Sequence, residues 1–434
     1  MGGSLPEKSA ALRQDFPDGI RLELDLNSHE LAADEATQAR YPVFLVDRPA
    51  KMLANLLGAR QQDLHLSDPP RMVCLCDEYT AEAFGIQVES QLITSGWQVD
   101  ALTVPAGEQS KTLATVEQVC EALSALGAGR NTVLCSLGGG VISDLAAFVA
   151  GIYNRGMYLV HIPTTLVGMV DAAIGGKAAV NLPTIKNKIG LFKHPLAIVG
   201  DPEMLASLPD DQYASGLAEA AKTALLAGEP FLGWLEEHTT ALLERDPATL
   251  RELIARCIEF KAGVVASDPR EEAVPSPRMS LNYGHSLGHV IEAVTSLDPD
   301  AEAIPHGIAV AQGMRFAARL ALQLVGASRA FVQRQDALLD ALGLAPIDPA
   351  CMGTDLTALR DIFYRDKKTY DAQLRFVLLS EPGKADIVTL PEELLYDHLR
   401  AWLDIPLVVG RVSGKYAKAA DDTETETEDE ASHS

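Results

Sequence analysis

TVLCSLGGG, residues 132–140, decides how the first half of this chain reads. Residues 132–137 form a continuous apolar and β-branched run of the length of a buried strand. The run ends in Gly138, Gly139 and Gly140, and an apolar helical stretch follows over 143–153 with Asp144 near its start. Strand, glycine turn and helix N-terminus together make a cradle for a pyrophosphate, because glycine lets backbone N–H groups approach an anion. The triplet lacks the G-x-G-x-x-G spacing, so a tight connection is the competing reading.

Working outward, strand-like runs stand at 21–26, 41–46, 72–76, 98–104, 158–162 and 197–199, with helical periodicity at 81–94 and 112–126. Such alternation predicts an α/β domain with a largely parallel, Rossmann-like sheet. Beyond residue 205 the strand signal fades. Amphipathic segments at 211–243, 248–265, 306–325 and 329–342 predict a mainly α-helical C-terminal domain, with a strand or hairpin returning at 374–379. The expected organisation is a flexible N-terminus over 1–20, an α/β domain over 21–205, a helical domain over 206–405 and a disordered acidic tail over 406–434, where Asp and Glu crowd between threonines. Each domain is expected to have its own core, with the active site in the cleft between them.

Bulk properties narrow the function. A formal charge of −24 over 434 residues disfavours nucleic-acid or anionic-membrane partners. The longest apolar stretches fall well short of the ~20 residues of a membrane span, and residues 1–20 carry charges rather than a secretory core, so a cytoplasmic protein with no membrane contact is expected. Six cysteines are scattered without a C-x-x-C pair, which points to buried free thiols rather than a zinc ribbon or disulfide framework.

NYGHSLGH, residues 282–289, puts Asn282, His285 and His289 at i, i+3 and i+7, one polar stripe at helical pitch, and His306-Gly307 follows. Metal or anion chemistry is the implied use. Asp77 ends a strand where a ribose partner belongs in a dinucleotide fold. Glu108 and Lys111 precede a helix and read as a helix-start capping pair. Arg155, Lys177 and the Lys186-Asn187 pair lie among glycines, asparagines and aspartates between apolar runs, where open backbone and cations suit phosphate or carboxylate oxygens. Glu219 and Lys222, at i and i+3, read as a surface ion pair when taken alone.

The order of these motifs resembles the 3-dehydroquinate synthases, within the sugar-phosphate cyclases: PAGEQSK (105–111), GGGVISD (138–144), RG (155–156), PTTL (163–166), DAAIGGK (171–177), KNKIG (186–190), GLAEAAK (216–222), RMSLNYGHSLGH (278–289), HG (306–307) and RDKK (365–368). The resemblance runs over roughly residues 40–400. It implies a homodimer that uses NAD and one divalent metal, zinc or cobalt, on a phosphorylated sugar acid. The metal ligands would be Glu219, His285 and His306. The cofactor would meet Asp77, Glu108, Lys111, Gly139, Gly140, Val141, Asp144, Thr164, Thr165, Lys177 and Lys186. Lys261 and Arg278 would hold the substrate carboxylate. Lys177, Asn187, Asn282, His289 and Lys367 would surround its phosphate, with Arg155 reaching in from a second subunit, and Asp171 and Lys222 would address ring hydroxyls. The implied reaction is transient oxidation by NAD, phosphate elimination, re-reduction and intramolecular aldol closure, with His289 the protein's candidate base beside the departing phosphate itself.

Several positions depart from the family pattern. Ala172, Ala173 and Ala178 stand where hydroxyl residues are common, Ile308 replaces a glutamate that could hydrogen-bond His306, and the 268–278 connection is long and proline-rich, which loosens the expected placement of Arg278. The rival readings are a cyclase making a cyclitol from sedoheptulose 7-phosphate or glucose 6-phosphate, a metal-dependent polyol dehydrogenase, and a non-catalytic paralogue. Lys261, Arg278 and Gly175-Gly176-Lys177 favour the dehydroquinate reaction.

Overall fold

The computed structural model describes residues 10–26, 39–183, 185–273, 276–297, 304–349, 359, 362–363 and 374–404. The strands of the main sheet are β1 (Ala11–Phe16), β2 (Gly19–Asp25), β3 (Arg40–Val46), β4 (Arg71–Asp77), β5 (Gln98–Val104), β6 (Val133–Gly138) and β7 (Tyr158–Pro163), joined later by β10 (Ile198–Gly200). They lie in the order β1-β2-β3-β10-β7-β6-β4-β5. From β3 to β5 every pairing is parallel, while β1 and β2 pair antiparallel at one edge. All seven strand-like runs of the sequence are strands. Both faces of the sheet are covered, and so β6 is buried at all six positions and reads as a continuous apolar run rather than an alternating one.

The chain moves outward to β5 after β4, then crosses back to β6 and runs through β7 to β10 in the other direction. The carboxyl ends of β4 and β6 therefore flank the point where the order reverses, the crevice in which open α/β sheets bind ligands. Asp77 and Gly138 terminate those two strands, and Thr80 Oγ1 donates to the Leu137 carbonyl across the gap at 3.1 Å.

Helices α1 (Pro49–Gly58), α2 (Ile86–Thr94), α3 (Leu113–Ala125) and α4 (Gly140–Ile152) cover the sheet. The second half contributes α5 (Asp210–Ala227), α6 (Pro247–Ser267), α7 (His285–Leu297), α8 (His306–Leu324), α9 (Arg329–Ala341) and α10 (Glu392–Asp404), with a hairpin of β11 (Arg375–Glu381) and β12 (Lys384–Thr389) where a return was expected.

Three expectations need correction. The stretch expected to be flexible over 1–20 holds β1 from Ala11 and the start of β2; Arg13 ties it to α6 through Glu252, an anchor that sequence patterning does not reveal. The segment around Lys177, Lys186 and Asn187, where no strand was expected, forms an antiparallel hairpin, β8 (Lys177–Leu182) with β9 (Ile185–Phe192), whose exposed polar residues hide its alternation. The two halves share part of their core, although β4 and β6 pack with α1 to α4 in clusters confined to the first half. Leu22, Leu24, Tyr41 and Val43 of the sheet share one apolar cluster with Leu250, Ile254 and Ile258 of α6 and with α5, α7 and α8. The acidic tail over 406–434 lies outside the described residues.

Candidate active site

Three helices converge because glycines let them. A short 3-10 turn (Pro277–Asn282) is broken from α7 by Gly284, whose φ of 81° a side chain would resist. The stripe read from spacing is thus divided: His285 and His289 share α7, whereas Asn282 belongs to the turn before the break. A Cβ on Gly313 of α8 would stand 1.7 Å from the Gly284 carbonyl oxygen, and one on Gly307 would stand 2.2 Å from the Cα of Ser215 on α5. Glycine at these points brings α5, α7 and α8 close enough for one side chain of each to meet.

Those side chains are Glu219, His285 and His306, whose ligand atoms lie within 4.8 Å of one another. Glu219 is 1% exposed, and its Oε1 lies 3.6 Å from His285 Nε2 and 3.3 Å from His306 Nε2. The other imidazole nitrogens are engaged: His285 Nδ1 with the Tyr283 carbonyl and His306 Nδ1 with Glu292 Oε2, each at 3.2 Å. An N–H at Nδ1 leaves the Nε2 lone pair of both rings turned toward Glu219. Among the described residues, no group makes a well-formed hydrogen bond to either Glu219 oxygen, although Lys222 is ion-paired to Oε2. A buried carboxylate short of donors beside two aimed imidazoles suits a divalent transition metal, and such a set leaves coordination positions for substrate.

The electrostatics agree with a site built for a cation. Burial works against charge on Glu219, but Lys222 and the two histidines outweigh it and hold the carboxyl well below the usual range. Burial and Lys222 push His285 down to about 3, so it is neutral. Burial also opposes charge on His306, yet Glu219 and Glu292 raise it to about 10, so the metal-free ring carries a second proton at Nε2 that a bound cation would displace. The Glu219–Lys222 pair is buried, not the surface pair that its spacing alone suggests.

At the sheet's switch point, Gly139 caps α4 and Gly140 opens it, followed by the half-buried Val141. Buried Thr164 donates its N–H to the Gly138 carbonyl at 3.1 Å, and Thr165 Oγ1 accepts from Gly168 N at 3.0 Å, which fixes the loop facing the glycines. Asp77 Oδ1 caps the following helical turn by accepting from Thr80 N at 2.8 Å. Glu108 and Lys111 are not a capping pair. Lys111 is 5% exposed, ion-paired to Asp144 and 2.6 Å from Asn187 Oδ1, while Glu108 accepts from Asn181 Nδ2 at 2.7 Å. Burial raises the Asp144 carboxyl, which Lys111 only partly offsets. Asn181, which also accepts from Asn187 N at 2.8 Å, was not singled out by sequence; its one signal is its place in the polar run after Lys177.

The cations expected at the substrate lie on the neighbouring elements. Lys261 Nζ reaches Asp171 Oδ1 at 2.6 Å and its carbonyl at 2.7 Å. Arg278, 3% exposed, donates to the carbonyls of Pro269 at 2.5 Å and Gly175 at 3.3 Å. The long connection does not displace it, because Asp268 folds the loop on itself by accepting from Ser276 Oγ and from Glu272 N. Lys177 is paired with Glu271, and Lys186 Nζ lies 3.6 Å from Glu292 Oε1. The His289 ring meets His285 edge-on at 5.3 Å. Arg155 is exposed on the turn after α4, apart from these groups in its bonding, and Lys367 lies outside the described residues. Ile308 does not leave His306 without a carboxylate, since Glu292 provides one. The small side chain of Ala172 has a packing reason as well, lying 3.2 Å from where a Cβ on Gly140 would stand.

Comparison with known proteins agrees with this arrangement. A model of the 3-dehydroquinate synthase N-terminal domain matches residues 101–215, and one of the C-terminal domain matches residues 216–369. A 3-dehydroquinate synthase from Rhodopirellula baltica is 34% identical over 367 residues, covering 84% of this chain and 96% of its own. A 2-deoxy-scyllo-inosose synthase, solved with carbaglucose-6-phosphate, NAD+ and Co2+, superposes with a TM-score of 0.71 at 25% identity, over 83% of this chain and 96% of its own. A 2-epi-5-epi-valiolone synthase from Streptomyces hygroscopicus, solved with NAD+ and Zn2+, gives 0.68 at 25% identity, over 76% and 90%. The two solved structures that share this plan at 25% identity are sugar-phosphate cyclases, which gives the class. Within that class the chain belongs to the 3-dehydroquinate synthase family, and it is a lyase.

Proposed function

We infer that this chain converts 3-deoxy-D-arabino-heptulosonate 7-phosphate to 3-dehydroquinate and phosphate, with NAD and one divalent metal, zinc or cobalt, as resident cofactors. The observation that carries this reading is the convergence of Glu219, His285 and His306 from three helices. These three would hold the metal, and Asp77, the 108–111 turn, Gly139, Gly140, Val141, Asp144, Thr164, Thr165 and Lys186 would line the NAD crevice. When bound, NAD supplies a reversible hydride acceptor and the metal a Lewis acid at the same substrate oxygen.

The chain's own groups then have separate tasks. Lys261 and Arg278 are buried cations on neighbouring elements, and Arg278 bonds only carbonyl oxygens among the contacts described, which leaves positive charge for a substrate carboxylate. Lys177, Asn187, Asn282, His289 and Lys367 would hold the phosphate, with Arg155 supplied by a second subunit. Asp171 and Lys222 would orient ring hydroxyls. His289 would be the protein's candidate to take a proton during elimination, beside the leaving phosphate itself. The enzyme would act as a homodimer in the cytoplasm. Among the described residues no helix is long and apolar enough to cross a membrane.

The test is an assay of purified protein with NAD, Zn2+ or Co2+ and the heptulosonate phosphate, following phosphate release and identifying the carbocycle. Release of phosphate with sedoheptulose 7-phosphate or glucose 6-phosphate, and none with the heptulosonate, would overturn the reading in favour of a cyclitol-forming cyclase, the class of the solved relatives.

A further inference from the structure

We propose that Glu292 is a positioning residue that sets the orientation of His306 at the metal centre, a role that rests on the metal reading above. Glu292 lies two turns beyond His285 on α7, and its side chain is 15% exposed. Its Oε2 meets His306 Nδ1 at 3.2 Å, while its Oε1 is turned to Lys186 Nζ at 3.6 Å. A carboxylate at Nδ1 keeps the proton on that nitrogen and leaves the Nε2 lone pair directed at the shared centre, where it lies 3.3 Å from Glu219 Oε1.

The two imidazoles are therefore fixed in different ways. His285 is oriented by a main-chain carbonyl, that of Tyr283, which no side-chain substitution removes. His306 opens α8, and the group that meets its Nδ1 comes from α7, so one helix contributes both a ligand and the partner of the other helix's ligand. Residue 308, where a carboxylate was expected from the family pattern, is an isoleucine half-buried against the core and offers no acceptor. Glu292 takes over that task from a different helix.

The experiment uses the full-length protein stripped of metal, as wild type, Glu292→Gln and Glu292→Asp. Affinity for Zn2+ and Co2+ is measured by competition with a chromophoric chelator, and the visible spectrum of the Co2+ form is recorded. Glu292→Gln should weaken both ions by roughly 10- to 100-fold and alter the Co2+ bands, with Glu292→Asp between it and wild type. A folded Glu292→Gln protein with wild-type affinity and spectrum overturns the proposal. Should that variant fail to fold, unchanged affinity and spectrum in Glu292→Asp overturn it equally. A wild-type protein that binds neither ion sinks the metal reading as a whole, whereas wild-type binding that the variants share sinks only the role of Glu292.

Discussion

Lys111 donates a 2.6 Å hydrogen bond from its buried ammonium to Asn187 Oδ1, joining the turn before α3 to the tip region of the β8–β9 hairpin. The same ammonium is ion-paired to Asp144 in the first turns of α4. Three chain segments that surround the switch point are thus held by one side chain. Replacing it by Lys111→Met leaves Asp144 buried without its cation, which should cost about 3 kcal/mol at the lower end of the range for breaking a buried pair, since Asp144 keeps some solvent. Asp144→Asn added to Lys111→Met should recover part of the loss. Denaturant unfolding of the single and double variants checks this; equal and additive losses would contradict it.

His285 and His289 lie one turn apart on α7 but have different surroundings. His285→Ala should lose bound metal, measured as metal content after gel filtration, with turnover falling to background. His289→Ala should keep its metal and lose turnover by about 100-fold, in the range for removing a general base. Metal loss in both variants would show that the two histidines are not divided in this way.

Gly313 has no room for a side chain. In Gly313→Ala the added methyl would meet the Gly284 carbonyl oxygen, so α7 and α8 must move apart, at a cost of about 1–3 kcal/mol from overpacking. The same displacement separates His285 from His306. Thermal unfolding and Zn2+ affinity should therefore fall together in this variant, and a stability loss with unchanged metal affinity would refute the link.

Acid should weaken the sheet through His161. The ring is buried in β7, where Nδ1 pairs with Ser136 Oγ at 2.6 Å, and burial lowers it to about 3. Its folded value is below the unfolded one of about 6.5, so between those two pH values the unfolded chain holds the extra proton. This contribution is fully present above about pH 6.5 and is lost as pH falls from there toward 3, at up to ~1.4 kcal/mol per pH unit. Unfolding free energies at pH 7, 6 and 5 for wild type and His161→Gln provide the check. The variant should show the shallower slope.

Much of this was readable from the sequence, for reasons that differ by element. The parallel strands were legible because a strand covered on both faces must be apolar throughout, as in β6. The Glu219, His285 and His306 set came from motif order, and the structure brings its three members together. The β8–β9 hairpin was not legible, since Ile185 to Lys188 are exposed at four successive positions and show no apolar period of two. The burial of Lys111 was hidden for a related reason: its partners Asp144 and Asn187 are 33 and 76 residues away in the chain, and spacing arguments see only near neighbours. The break at Gly284 was not legible either, because a glycine at helical spacing looks the same with either sign of φ.

The shared cluster that joins β2 and β3 to α6 bears on how the enzyme moves. Proteins that close over substrate by a hinge need two bodies that keep their integrity when separated. Here Leu22, Leu24 and Tyr41 would be stripped of cover if the sheet and α6 parted. The antiparallel edge of the sheet and the metal-ready triad are therefore mounted on one chassis, while β4 and β6, which flank the switch point, pack in clusters of their own.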